Sequence, residues 1–189
     1  MMAFQNDITS CLRVLRGGGI ILYPTDTIWG IGCDATNEEA VEKIFSLKER
    51  PGSKSMIILV GDEESVAEYA DLLPTELQKT IAEYPVPVSV IYGGAKNLAP
   101  SLIAEDGSIA IRIIREKFCA ELISAFGKPI VSTSANLSGQ PSPVNFKAVA
   151  AEIRDGVDHV VSYRQEEDNQ SAPGRIVKWN EKEGLVFIR

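Results

Sequence analysis

Two hydroxyl-rich turns, each leaving a short apolar stretch, carry the chemistry of this chain. The first is Tyr23-Pro24-Thr25-Asp26-Thr27-Ile28-Trp29-Gly30-Ile31-Gly32, and the second is Ile130-Val131-Ser132-Thr133-Ser134-Ala135-Asn136-Leu137-Ser138-Gly139. Between them lie the cluster Lys48-Glu49-Arg50-Pro51-Gly52-Ser53-Lys54 and the segment Ser108-Ile109-Ala110-Ile111-Arg112. Hydroxyls, small residues and cations at strand ends suit a site that holds a phosphate-bearing ligand with little nucleophilic machinery.

Each group also has a plain structural reading. Thr25, Asp26 and Thr27 are turn formers, but Gly30 and Gly32 follow them and would let the backbone approach a ligand. Lys48, Arg50 and Lys54 offer the positive charge and planar donor fork that a triphosphate needs. No GxxxxGK[ST] loop occurs in the chain, so a nucleotide would be held by another geometry. Arg112 interrupts an apolar strand and is either a structural ion pair or a ligand contact, whereas Arg115 reads as surface. Ser132, Thr133, Ser134, Asn136 and Ser138 exceed what helix capping would use, and Ser142 extends that polar wall. His159, the one histidine, stands outside any motif and reads as structural, which argues against Ser-His-Asp, Cys-His and His-metal chemistry. Cys33 reads as packing.

The elements that must position these groups alternate. Ile8, Cys11, Leu12 and Leu15 recur at helical spacing, with Asp7 as a cap and Gly17-Gly18-Gly19 as a stop. Segment 20–23 reads as a buried strand ended by Pro24. A second helix begins near Thr36, with Glu39 completing a capping box, and its stripe of Ala40, Val41, Ile44 and Phe45 is continued by Lys48. Strands are predicted at 56–60, 86–92, 109–113, 129–133 and 160–163, with Pro87 making 86–92 an edge strand or one with an irregular start. Helices are predicted at 63–71, 74–83, 116–126 and 145–153, and a terminal hairpin from 176–179 and 185–188. The polar stretch 164–171 is the candidate mobile loop. This order predicts one α/β domain over 1–189, with a mixed parallel and antiparallel sheet and flanking helices.

Bulk properties narrow the classes. The 189 residues are 44% hydrophobic, enough for a sizeable core. The net charge of −7 argues against a uniformly basic nucleic-acid surface. No apolar run is bilayer-length, and the start of the chain lacks the pattern of a signal peptide. Three widely spaced cysteines without metal-finger spacing suggest reduced thiols and a cytoplasmic protein.

In combination, PTDTIWGIG, the KxR-P cluster, YPVPVSVI, SIAIR and STSANLSGQPSP resemble the YrdC/TsaC family of L-threonylcarbamoyladenylate synthases, in the short single-domain form and over nearly the whole chain. The resemblance implies a twisted mixed sheet with a deep concave cleft. It implies conversion of L-threonine, bicarbonate or carbon dioxide, and ATP to threonylcarbamoyl-AMP and pyrophosphate, with Mg2+ carried by ATP and no protein metal site. Partner proteins would place the threonylcarbamoyl group on tRNA adenosine.

Carried over by motif, Thr27, Arg112 and Ser132 would bind threonine. Lys48 and Arg50 would be the catalytic cations on the ATP phosphates. Lys54, Ser108, Ser134, Asn136, Ser142 and Arg189 would complete the nucleotide side. Three positions depart from the family pattern: Val86 replaces a glycine, Leu59 stands where some members have histidine, and Gly174 replaces a substrate-contacting serine. The rival readings are a non-catalytic RNA-binding module making weak tRNA or duplex-RNA contacts, and a related carbamoyl-adenylate-handling enzyme on the same fold.

Overall fold

The computed structural model describes residues 4–49, 56–168, 174–180 and 184–188. Nine strands among them are β1 (Ile21–Tyr23), β2 (Gly30–Gly32), β3 (Ile57–Val60), β4 (Val88–Tyr92), β5 (Ile109–Ile113), β6 (Ile130–Ser134), β7 (His159–Val160), β8 (Arg175–Asn180) and β9 (Gly184–Phe187). They form one sheet in the order β7-β1-β2-β6-β3-β5-β4-β8-β9. The pairs β1–β7, β3–β5 and β4–β8 are parallel and the others antiparallel, so the predicted mixed sheet is found. The helices are α1 (Gln5–Arg16), α2 (Glu38–Leu47), α3 (Val66–Tyr69), α4 (Thr75–Ala82), α5 (Lys117–Phe126) and α6 (Ala151–Asp155).

Apolar spacing places α1 and α5. Ile8, Cys11 and Leu15 form the buried stripe of α1, and Phe118, Leu122 and Phe126 that of α5. The two helices pack on each other, and α5 lies against β3. Phe118 meets Phe4 edge-on at 5.6 Å and lies 5.9 Å from Tyr163, a geometry that aromatic quadrupoles favour.

Several local expectations change in context. Asp7 does not cap α1. Its carboxylate accepts hydrogen bonds from the Ser162 and Tyr163 amides, both at 3.0 Å, and from Ser162 Oγ at 2.8 Å, tying the helix to the segment after β7. The cap of α2 is Asn37, whose Oδ1 accepts from Ala40 N at 3.1 Å. Thr36 instead gives its amide and hydroxyl to Asp34. Segment 145–153 splits into a 3-10 turn at Phe146–Ala148 and the short α6. β4 begins after Pro87 and is interior, between β5 and β8. Arg164, at the start of the expected mobile loop, is anchored to Thr25 O at 3.0 Å and to Glu167 at 2.8 Å; residues 169–171 lie outside the described segments.

The largest departure is β2, which the sequence reading treated as a glycine turn. It is a buried strand between β1 and β6. A Cβ at Gly32 would lie 2.5 Å from Val131 O and 2.7 Å from the Tyr23 ring, so glycine is there for strand packing and not for a ligand. Gly32→Ala should therefore destabilise the fold by about 1–3 kcal/mol through overpacking; an unchanged urea midpoint would contradict this packing account.

All three cysteines are free and buried. Burial pushes the Cys11 thiol up to about 12 and raises Cys33 and Cys119 as well. Reaction with a thiol reagent at pH 8 should be negligible until denaturant is added, and rapid labelling of the native protein would show that one of these thiols is open to solvent.

Candidate active site

The first hydroxyl turn is organised by Thr25. Its Oγ1 donates to Ile28 O at 2.7 Å and accepts from Thr27 N at 3.0 Å. The thiol of Cys119 donates to Pro24 O at 3.2 Å, and Arg164 holds Thr25 O from the other side. This turn is thus held by contacts from α5 and from the segment after β7, and Thr27 Oγ1 stays within 3.1 Å of Thr25 Oγ1.

The second turn leaves β6, and its register brings it to the first. Gly30 pairs with Ser134 and Ile31 with Thr133. On the other edge of β6, Ile57 pairs with Ser132. One cavity of about 140 Å³ results, lined by Thr25, Thr27, Ile28, Gly30, Met56, Ile57, Arg112, Ser132, Thr133, Ser134, Ser142, Gly174 and Ile176. Of the expected substrate contacts, Thr27, Arg112, Ser132, Ser134 and Ser142 meet here. Thr133 belongs to the serine-rich wall that the sequence singles out, and Gly174 stands where the family resemblance places a substrate-contacting serine. Thr25, in the first hydroxyl turn, and Ile176, which only the β4–β8 pairing brings to the cavity, were not expected as contacts.

Arg112 is 4% exposed. Its Nε donates to Ser89 Oγ at 3.1 Å, and its Nη1 to Asp26 Oδ1 at 3.0 Å and Thr27 Oγ1 at 3.3 Å. Of the two alternatives left open by the sequence, the structural ion pair is present, and the same side chain lines the cavity. Burial pushes the Asp26 carboxyl above the ordinary carboxylate range, and the neighbouring Arg112 pulls it partly back.

Other expected contacts lie elsewhere. Lys48 does not line the cavity. It is 1% exposed, and its ammonium donates to the carbonyls of Ser134 and Asn136. A buried ammonium needs such acceptors in place of water, and here they are the backbone of the serine-rich turn. The Lys48 carbonyl in turn accepts from Ser138 N at 2.8 Å. Ser108 is also off the cavity: its Oγ donates to Asp106, whose other oxygen pairs with Lys178 at 3.3 Å, so local turn bonding holds it. Asn136 folds its own turn, giving its amide to Leu137 O and Gln140 O, both at 2.8 Å. Its buried Oδ1 has no partner among the described residues. Arg50, Lys54 and Arg189 fall outside the described residues. Arg115 is exposed and donates to Ala82 O. His159 lies 3.7 Å from Asp7, away from the cavity. Among the described residues, no group of three or more His, Cys, Asp or Glu is placed to hold a metal ion.

Residues 13–189 match the Sua5_yciO_yrdC family, described as telomere recombination. The chain belongs to this family. A threonylcarbamoyl-AMP synthase from Psychromonas ingrahamii is 35% identical over 148 residues, covering 77% of this chain and 78% of that protein. The crystal structure of P. abyssi Sua5 complexed with L-threonine superposes with a TM-score of 0.83 at 24% identity, over 96% of this chain and 53% of that one. Escherichia coli YciO gives the same TM-score at 21% identity, over 98% of this chain and 89% of its own. These two structures match the fold, and the fold is the twisted mixed sheet that the motifs implied.

Removing Arg112 should strand a buried carboxylate. Arg112→Ala is expected to cost about 3–5 kcal/mol of stability, and adding Asp26→Ala should recover part of that loss in a double-mutant cycle. Asp26 has a raised folded pKa, so its burial penalty is present above that pKa and is relieved as pH falls through it. The deficit of Arg112→Ala relative to wild type should therefore shrink on acidification. A deficit that stays constant with pH and strictly additive variants would remove the ion pair from the account.

Proposed function

We infer that this protein is an L-threonylcarbamoyladenylate synthase, which makes threonylcarbamoyl-AMP and pyrophosphate from L-threonine, bicarbonate or carbon dioxide, and ATP. The observation that carries this reading is the cavity where Thr27, Ser132, Ser134 and Ser142 converge on a buried guanidinium. The curated relatives named threonylcarbamoyl-AMP synthase support the same reaction.

The chemistry requires no protein nucleophile. The threonine amine captures carbon dioxide as a carbamate, and a carbamate oxygen attacks the α-phosphorus of ATP. The bond to the bridging oxygen breaks, and pyrophosphate leaves with its electron pair. Holding the reactants in line supplies a large part of the barrier reduction. Arg112 takes the threonine carboxylate, because its Nη2 offers a charge-assisted donor while Nε and Nη1 are held by Ser89, Asp26 and Thr27. Thr27 and Ser132 supply hydroxyls beside it, while Ser134 and Ser142 face the nucleotide side.

Lys48 acts through the turn it holds: its charge lies behind the Ser134–Asn136 backbone. Arg50 and Lys54, next in the chain, are assigned to the phosphates, where magnesium enters with ATP. The product goes to partner proteins that modify tRNA in the cytoplasm. A net charge of −7 gives no support to direct RNA binding as the primary role. Among the described residues, no helix is long and apolar enough to cross a membrane.

The test is incubation with ATP, magnesium, bicarbonate and single amino acids, with mass detection of the adenylate. L-Threonine should give threonylcarbamoyl-AMP and one equivalent of pyrophosphate, both dependent on bicarbonate. L-Valine, which matches threonine in shape but lacks its hydroxyl, should be at least about tenfold poorer. Equal turnover of the two would reject a threonine site, and salt-sensitive RNA binding without any adenylate would favour the RNA-binding reading.

A further inference from the structure

Arg112 is constrained on three sides, and the residues that do this differ in kind. Ser89 on β4 holds Nε, and Asp26 with Thr27 holds Nη1. The third side is an absence of side chain. A Cβ at Gly174 would fall on Arg112 Nη2 and lie 2.8 Å from Cζ. Among the described residues Nη2 donates no hydrogen bond, so the guanidinium edge nearest Gly174 is the one with capacity for a carboxylate oxygen.

Asp26 also stands at a boundary. It does not line the hydroxyl-walled cavity but helps line a second one of about 340 Å³, walled mainly by apolar residues of β4 and β5 and by Ile81 and Ala82 of α4. Burial there leaves the carboxylate few partners other than Arg112, which makes the pair directional.

We propose that Asp26 and Gly174 act together as positioning residues, an anchor and a vacancy that set the direction in which Arg112 presents its Nη2 edge to the amino-acid carboxylate. This rests on the reading of the cavity as the threonine site. The anchor prevents the guanidinium plane from rotating, and the vacancy lets it lie where a side chain would otherwise be. A charge-assisted hydrogen bond from Nη2 is sensitive to that plane, because its N–H must point along the line to the carboxylate oxygen. The substitution of glycine for the family serine at 174 then has a physical meaning: the space of the lost hydroxyl is taken by the guanidinium itself. Restoring serine would push Arg112 away from Asp26 and Ser89 and would not simply add a hydrogen bond.

The test is steady-state pyrophosphate release by wild type, Asp26→Asn, Asp26→Glu and Gly174→Ser, with threonine and ATP varied separately. Calorimetric binding of L-threonine and L-threoninamide accompanies it. Asp26→Asn and Gly174→Ser should each raise the threonine KM by about tenfold or more, with the ATP KM within about twofold of wild type. Asp26→Glu should recover part of the threonine KM. Wild type should prefer threonine to its amide, and both Asp26→Asn and Gly174→Ser should lose most of that preference, since only the carboxylate reads the guanidinium plane. Should Asp26→Asn fail to fold, Gly174→Ser carries the same two readouts. A threonine KM unchanged in Asp26→Asn, or lowered in Gly174→Ser, overturns the positioning claim while leaving the synthase reading intact. A wild type that neither binds nor uses threonine overturns the synthase reading itself, and the claim with it.

Discussion

A guanidinium can lie in a protein interior only when its charge and its N–H groups are met by partners already in place. Arg112 meets that condition at Nε and Nη1 through Asp26, Thr27 and Ser89, which come from the turn after β1 and from β4, while Nη2 keeps donor capacity at the cavity. The hydroxyl cavity is assembled around this one charged group. Had any of these strands been shifted by one residue, side chains would have exchanged faces and left the arginine unpaired. Sheet register and ion pair therefore constrain one another.

The same logic extends to Lys48. An ammonium at the end of α2 is buried because the chain leaving β6 turns two carbonyls toward it, and the Lys48 carbonyl accepts from Ser138. A cation that would contact phosphate directly in an open site is here built into the wall, with its field acting through the backbone of the Ser134–Asn136 turn. Pairing of β2 with β6 completes the wall, and the closeness of Gly32 to Val131 and Tyr23 shows how tightly that pairing is packed.

Among the described residues, the thiols and the histidine lie off the cavity. The three thiols are buried with raised pKa values, and the histidine, on the edge strand β7, sits beside Asp7. What converges on the cavity is hydroxyl, guanidinium and backbone, groups that orient and stabilise charge. A reaction between a carbamate and a phosphorus atom, in which substrates supply both nucleophile and leaving group, asks for that and little else.

By itself the sequence determined the α/β class, the mixed sheet, the family and much of the hydroxyl lining of the cavity. Ser132, Ser134 and Ser142 could be chosen because the polar groups of their segment exceed what a turn requires, and Thr27 because its motif resembles the family's. Helix and strand positions followed from apolar period, which is local information. Only the tertiary structure decided what long-range pairing decides. The Gly30–Gly32 segment is a strand because β1 and β6 flank it, and glycine carries no β signal of its own. Asp7 and Thr36 bind partners other than the expected helix amides. Lys48 turns in behind the serine-rich turn, Ser108 bonds to its neighbour Asp106, and Ile176 reaches the site through β8. In each case the deciding partner is distant in sequence or set by a local turn, so the nature of the residue limits what it can do and the fold selects which of those things it does.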